Sequence, residues 1–358
     1  MGCVVRRVAI TGGGTGGHLS IARALAGECQ RRGFECVYIG SNSGQDRAWF
    51  ENSEIFTKKY FLDSTGVVNK RGLGLIKAMW MQFRAVVRAR EILLSHKIDF
   101  VISVGGFSAG GGSIAAILCK IPLFIHEQNS VAGTLNRILT PFARVVFGSF
   151  EMGAKNFIRT AYPINEIYHK RARVRGKVEV VLFLGGSQGA RAINDFALSL
   201  AQELLARGMK IIHQCGKSDF ERVKGAYSAI NAPLGEKIIL FDFSDKLVDF
   251  ITRADICVSR AGASSLWEVS ANYLPCCFVP YPFAAKNHQF YNAEFLQKRG
   301  LCKVVKQEDL DKDLFLAYLD SANECEDSAS VAQISQNLAK LPYKNGSAEI
   351  IDLILERV

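Results

Sequence analysis

One layout occurs twice in the chain, and it restricts the fold more than any other feature. Val8-Ala9-Ile10-Thr11 is a short apolar run leading into Gly12-Gly13-Gly14-Thr15-Gly16-Gly17. Ile21, Ala22, Leu25 and Ala26 then keep helical spacing as far as Arg31-Arg32-Gly33, and Phe34 to Ile39 reads as a second strand. The layout returns with a strand at Val180 to Leu184, the loop Gly185-Gly186-Ser187-Gln188-Gly189 and a helix over Ile193 to Leu205. Arg207-Gly208 ends that helix, and Met209 to His213 is the next strand. Strand, glycine loop, helix and strand in order make a βα unit of a parallel sheet. Two such units, each opening one half of 358 residues, predict an α/β protein of two Rossmann-like, doubly wound domains. A ligand cleft between the domains, at the strand carboxyl ends, is the expectation for such sheets. The expected domains are 1–162 and 163–340, with 341–358 a C-terminal helix returning to the first domain. The basic, weakly apolar stretch His169-Lys170-Arg171-Ala172-Arg173 follows Pro163 at the boundary.

A glycine loop at a helix N-terminus lets backbone N–H groups approach an anion without Cβ interference. Taken alone it is a weak signal, and the dinucleotide reading asks for an acid at the end of the second strand. Here those strands end Tyr38-Ile39-Gly40-Ser41-Asn42 and His213-Gln214-Cys215-Gly216, without an acid. No glycine loop ends in Gly-Lys-Ser/Thr, so a P-loop is excluded as well. A third strand-to-helix turn, Ile256-Cys257-Val258-Ser259 followed by Arg260-Ala261-Gly262-Ala263-Ser264-Ser265-Leu266-Trp267-Glu268, admits two readings. Ser264 and Ser265 serve as helix N-caps with Glu268 a turn further in, or the helix start holds a diphosphate and Glu268 a sugar diol.

The charge balance is +10, which favours acidic partners such as nucleic acid, anionic lipid or a phosphorylated substrate. Ten cysteines are scattered with no C-x-x-C pair, which reads as reduced buried thiols of a cytosolic protein. The apolar stretch after Arg6 and Arg7 is broken at Gly12 and is too short for a signal-peptide core. Phe100 to Cys119 is uncharged at the nominal length of a membrane span, yet Gly105, Gly106, Gly110, Gly111 and Gly112 interrupt it. Strand, glycine loop and buried helix is the expectation there.

Four ordered motifs make the pattern specific: Gly13-Gly14-Thr15-Gly16-Gly17-His18, His126-Glu127-Gln128-Asn129, Gly185-Gly186-Ser187-Gln188-Gly189-Ala190-Arg191 and Ser259-Arg260-Ala261-Gly262-Ala263. Together they resemble the MurG family, which makes lipid II in bacterial peptidoglycan synthesis. The resemblance implies a glycosyltransferase-B fold that binds a lipid-linked acceptor on the N-terminal domain and UDP-GlcNAc mostly on the C-terminal one. It implies inverting transfer of GlcNAc to the C4 hydroxyl of lipid I, with no cofactor and no metal. By that likeness Glu268 binds the donor ribose, while Ser187, Ala263, Ser264, Ser265 and Leu266 cradle the diphosphate. Gln289 holds sugar hydroxyls, Phe243 flanks the uracil, and Thr15, Gly16, Gly17 and Asn129 line the donor side near the transferred sugar. Gly13, Gly14, Phe107 and Asn194 match acceptor-side positions. The chain departs from the family pattern at Ile21, at Phe107, at Gly111, at Phe243 and in Tyr162-Pro163-Ile164-Asn165, where the family carries Asn-Pro-Val-Arg.

Such transfer needs a base for the acceptor hydroxyl and stabilisation of charge on the departing diphosphate. His18 is the first candidate base, since imidazole titrates near neutral pH, with a helix-orienting role as the alternative. Glu127 is the second, with fixing of the Asn129 loop as its alternative. His126 reads as structural. For docking, Leu73, Ile76, Trp80 and Phe83 follow helical spacing among Lys70, Arg71, Lys77, Arg84, Arg88 and Arg90, which describes an interfacial helix or, alternatively, a core helix with a basic outer face. The expected partners are thus UDP-GlcNAc, lipid I and an anionic lipid surface at the cytoplasmic face of the inner membrane, with scope for a wall-synthesis complex. Competing readings are a UDP-GlcNAc epimerase and a basic nucleic-acid-binding protein. The latter finds no aromatic-basic strand motif in the chain, so no nucleic acid is expected.

Overall fold

The computed structural model describes residues 6–66, 70–186, 189–324, 330–342 and 344–358. The chain divides into two compact units, Met1–Ile164 with Lys344–Val358, and Asn165–Tyr343.

The first unit is built on strands β1 (Arg7–Thr11), β2 (Glu35–Ser41), β3 (Lys58–Leu62), β4 (Phe100–Ser103), β5 (Leu123–Glu127), β6 (Val145–Gly148) and β7 (Phe157–Arg159). They form a parallel sheet in the order β3-β2-β1-β4-β5-β6-β7. The chain runs outward from β1 in one direction, then restarts at β4 and runs the other way. The β1–β4 pair is therefore the sheet's switch point, where such folds bind ligands. Helices cover both faces, so the strands are nearly continuous in apolar residues; Ala9, Val37, Ile39, Val101, Ile125 and Val146 are buried on one face.

Phe100–Cys119 resolves into β4, a glycine turn and the helix Ala109–Leu118, and no helix among the described residues is long and apolar enough to cross a membrane. The glycines serve close packing: a Cβ on Gly112 would lie 2.5 Å from Thr11 Oγ1, and one on Gly111 would press on Ala85 at 3.2 Å. The C-terminal helix Gly346–Leu355 belongs to this unit, capped by Asn345 Oδ1 at Ala348 N. Asp352 on it pairs with Arg32, and Glu349 accepts from Ala161 N at 2.8 Å.

The second unit repeats the plan with β8 (Val180–Leu184), β9 (Lys210–Gln214), β10 (Ile238–Phe241), β11 (Ile256–Ser259), β12 (Cys276–Phe278) and β13 (Lys303–Val304). The order β10-β9-β8-β11-β12-β13 is again parallel and again switches direction, between β8 and β11. Val181, Phe183, Ile211, Ile256 and Val258 pack against Ile193, Ala197, Leu200 and Leu204 of the helix Arg191–Ala206. A fully buried arginine, Arg175, ties the start of the unit to the C-terminal ends of the helices Leu247–Arg253 and Ala263–Ala271 by donating to the carbonyls of Ala254, Ile251 and Asn272. The described cysteines are free thiols, buried except for half-buried Cys119; burial pushes the Cys277 thiol up to about 12.

Candidate active site

In the first unit the loops after β1 and β4 interlock. Gly12 has φ +117°, and a Cβ there would sit 2.4 Å from Gly105 O; one on Gly106 would lie 2.0 Å from Gly13 O. Gly13 N donates to Gly105 O at 3.0 Å. Gly14 N donates to Asp46 Oδ2 at 2.6 Å. Asp46 is fully buried, and its other oxygen accepts from Ser41 N at 3.0 Å and lies 3.0 Å from the Tyr38 hydroxyl. Burial and then the Asp46 charge push the Tyr38 hydroxyl well above its ordinary value. The amides of Gly13 and Gly14, counted as acceptor-side positions, are thus spent inside the unit, one of them on a carboxylate. Phe107 packs its ring on Gly14, where a Cβ would meet it at 2.4 Å.

The helix Gly16–Arg31 starts from an extended Thr15. His18, half-buried, has Nδ1 2.9 Å from Thr15 Oγ1 and Nε2 3.0 Å from Gln128 Nε2. With the Gln128 amide donating, the ring proton resides on Nδ1 and is given to Thr15, and the Nε2 lone pair accepts from Gln128. Gln128, inside a quoted motif yet assigned no role there, is therefore a site residue. Beside it His126 is fully buried at the end of β5 against Tyr162, with ring centroids 5.7 Å apart. Burial, then the charge of His18, push the His126 imidazole down to about 3, so it is neutral.

Glu127 Oε1 accepts from Asn129 N at 3.0 Å, while Oε2 accepts from Gly133 N at 3.0 Å and Asn136 Nδ2 at 2.8 Å. Three donors on a buried carboxylate describe an anchor that sets the loop bearing half-buried Asn129.

In the second unit, Ser187 lies outside the described residues. The adjoining loop turns at Gly186 and Gly189, with Gly189 N bonded to Gly186 O at 3.0 Å. Asn194 does not present an amide to an acceptor. It is buried, its Nδ2 donating to Cys215 O at 3.0 Å and Asp219 Oδ2 at 2.7 Å and its Oδ1 3.1 Å from His213 Nε2. The Tyr227 hydroxyl completes that row at 2.9 Å from His213 Nδ1. Burial pushes His213 down to about 3, and Arg222 holds Asp219 down to about 2.

The helix Ala263–Ala271 is capped by Gly262, with no side-chain capping bond. Ser264 and Ser265 therefore stand inside the first turn and do not cap, which corrects the capping alternative. A glycine N-cap brings no side chain of its own to the helix start, where backbone N–H groups suit an anion. Glu268 is one turn in and half-buried; burial pushes its carboxyl up to about 8, while the nearby Tyr168 hydroxyl pulls the other way. Gln289 Oε1 accepts from Tyr281 N at 2.9 Å, which directs its NH2 away from that bond. It is the second residue of the helix His288–Gln297, which follows Lys286 and Asn287, both left-handed at φ +53° and +54°. Phe243 is 50% exposed. Tyr168 was not legible as a site residue, because only the fold brings the helix Ile167–Lys170 to Glu268. Among the described residues no group of His, Cys, Asp and Glu is arranged to hold a metal ion.

On the helix Gly72–Ser95, Ala78, Ala85, Ala89, Ile92 and Leu93 face inward. Leu73 is 85% exposed, Ile76 64%, Trp80 61% and Phe83 57%. The core-helix alternative fails at these positions. Lys77 and Arg84 are exposed on the same helix, and Trp80 stacks on Phe83 at 5.7 Å. Leu118, Ile138 and Phe142 of the same unit are also exposed, which their spacing had not signalled.

The comparisons with known proteins agree with these features. Residues 8–148 match the glycosyltransferase family 28 N-terminal domain, and residues 180–350 match the C-terminal domain of the same family. A protein of Helicobacter hepaticus named UDP-N-acetylglucosamine–N-acetylmuramyl-(pentapeptide) pyrophosphoryl-undecaprenol N-acetylglucosamine transferase is 54% identical, covering 97% of this chain and 98% of its own length. A Helicobacter pylori protein of the same name is 47% identical over 98% of this chain and 99% of its own. The crystal structure of Acinetobacter baumannii MurG superposes with a TM-score of 0.76 at 27% identity, covering 98% of this chain and 99% of that one. A UDP-N-acetylglucosamine 2-epimerase gives a TM-score of 0.67 at 12% identity, a likeness of fold alone. The chain has a glycosyltransferase-B fold and belongs to the MurG family within glycosyltransferase family 28.

Proposed function

We infer that this chain is an N-acetylglucosaminyltransferase that moves GlcNAc from UDP-GlcNAc to lipid I and so forms lipid II. The observation that carries the reading is 54% identity to a transferase of that name over nearly the whole of both chains.

Chemically, the C4 hydroxyl of the acceptor attacks the anomeric carbon from the face opposite the diphosphate. The C–O bond to phosphate breaks and its electron pair leaves with UDP, inverting the anomeric centre. His18 Nε2 takes the hydroxyl proton, with the acceptor hydroxyl displacing the Gln128 amide from that nitrogen; Thr15 at Nδ1, which holds the ring proton there, supports that role. The N-terminus of the helix Ala263–Ala271 meets the diphosphate through Ala263, Ser264, Ser265 and Leu266, and its glycine N-cap, which brings no side chain to the helix start, supports this. Glu268 holds the ribose hydroxyls, Gln289 the sugar hydroxyls through Nε2, and Phe243 borders the base. Ser187 completes the diphosphate contact from its own loop. In the first unit Thr15, Gly16, Gly17 and the Asn129 loop set by Glu127 border the reacting sugar, and Phe107 shapes the acceptor side.

The acceptor stays in the bilayer, so the enzyme docks there as a peripheral protein at the cytoplasmic face. Leu73, Ile76, Trp80 and Phe83, with Lys77 and Arg84, support an interfacial surface of apolar anchors among cations. The assignment of His18 is tested by steady-state kinetics of His18→Ala: turnover falls at least tenfold while UDP affinity stays close to wild type. Near-normal turnover would remove His18 from the chemistry.

A further inference from the structure

Arg260 stands where β11 turns toward the helix Ala263–Ala271, and a cation beside a diphosphate turn suggests a phosphate ligand. Its guanidinium is employed otherwise. Nη1 donates to the carbonyls of Val279 and Pro280 at 3.1 and 3.3 Å, and Nη2 donates to Gln307 Oε1 at 2.7 Å. Both carbonyls belong to buried residues just past the end of β12, and a buried carbonyl beyond a strand needs a donor from elsewhere. The arginine fork supplies it, and also lies over the ring of Tyr281, 5.4 Å from its centroid. Pro280 O and Tyr281 N share one planar peptide, so fixing the carbonyl fixes the direction of the N–H. That N–H donates to Gln289 Oε1 at 2.9 Å. One rigid peptide thus joins Arg260 to the Gln289 amide.

The helix that carries Gln289 is tied to the same turn. Asn292, three residues on and so on the same face, is fully buried and donates from Nδ2 to Ala261 O at 3.2 Å. We propose that Arg260 is a positioning residue for recognition of the transferred sugar: it holds the Pro280–Tyr281 peptide so that the Tyr281 N–H takes Gln289 Oε1 and leaves Gln289 Nε2 for sugar hydroxyls. This rests on the reading of Gln289 as the residue that holds those hydroxyls. Without the fork the peptide is free to turn, and the Gln289 amide loses the bond that sets which of its ends meets the sugar. Contacts to the base and diphosphate stay in place.

The test is equilibrium binding of UDP-GlcNAc and of UDP to the full chain, for wild type, Arg260→Lys, Gln289→Ala and the double variant. Lysine keeps the charge but is a point donor that cannot reproduce the planar fork. In Arg260→Lys, UDP-GlcNAc affinity falls about fivefold, the size of one hydrogen bond, while UDP affinity is unchanged, which also reports an intact fold. Gln289→Ala lowers UDP-GlcNAc affinity at least as much, and adding Arg260→Lys to it lowers it no further. Should Arg260→Lys not fold, Gln307→Leu, which removes the outer anchor of the fork and keeps the arginine, is measured and judged in the same way. If Arg260→Lys binds both ligands as wild type does while Gln289→Ala loses UDP-GlcNAc alone, the role of Arg260 is overturned and the sugar reading stands. Equal weakening of both ligands by Arg260→Lys makes Arg260 a diphosphate ligand or a packing residue and also overturns the proposal, as does a further loss in the double variant. If Gln289→Ala keeps wild-type affinity for UDP-GlcNAc, the sugar reading fails, and this inference with it.

Discussion

The glycines after β1 look alike in sequence but have different employments in the structure. Gly14 N is committed to Asp46, and the Gly14 surface to Phe107. The motif was legible; the carboxylate plugging one of its amides was not, because Asp46 follows a different strand and meets the loop only across the sheet. Replacing Asp46 by Ala leaves the half-buried Gly14 amide and the buried Ser41 amide without an acceptor. Urea unfolding of that variant is expected to show a loss of about 1–3 kcal/mol. The same limit explains Gln128, Tyr168 and Asn194. Spacing shows that a residue is near a motif, whereas burial and partners decide which way its amide or hydroxyl points. His126 was readable as structural, and its fully buried ring agrees.

At the scale of single elements, the helix Gly72–Ser95 presented two readings that periodicity could not separate, since a core stripe and an interfacial stripe share one spacing. The structure separates them because Ala78, Ala85, Ala89, Ile92 and Leu93 face inward while Leu73, Ile76, Trp80 and Phe83 stand exposed. Sedimentation with anionic vesicles is expected to detect binding that falls severalfold in the double variant Lys77→Glu, Arg84→Glu, each charge near the surface contributing about 1 kcal/mol. Unchanged binding would remove this helix from the docking surface. The helix Ala263–Ala271 carries a pH dependence of its own. Glu268 binds its proton up to about 8 when folded, against an ordinary 4.5. Its contribution to stability is therefore present below the unfolded value and is lost as pH rises through about 8. Between pH 6 and 8.5 this amounts to about 2 kcal/mol at most, because the group keeps some exposure. Glu268→Gln is expected to flatten that slope in urea titrations.

For the whole molecule, the two-fold repetition of the strand-glycine-helix layout announced both sheets, and their order follows from crossover rules that sequence reasoning can apply. Two doubly wound domains were accordingly readable from the first and second glycine loops, and the glycosyltransferase-B fold from the family resemblance that the four motifs carry. What was not readable is the way each unit shields a neutral imidazole. His126 in the first unit and His213 in the second are pushed to about 3 by burial. Unfolded histidines bind protons from about 6.5 downward, so both units lose stability as pH falls from there toward about 3. Acid unfolding is expected to begin below neutrality, and His213→Asn is expected to weaken the dependence in the second unit, read by chemical denaturation at several pH values.

Transfer itself is the most direct test of the central claim. The full chain is incubated with radiolabelled UDP-GlcNAc and a short-chain lipid I analogue, and the products are separated and identified. The account predicts label in a lipid-linked disaccharide, formed together with UDP, only when the acceptor is present, and nearly lost in His18→Ala. Label appearing as an epimerised sugar nucleotide or as free sugar, independent of the acceptor, would contradict it.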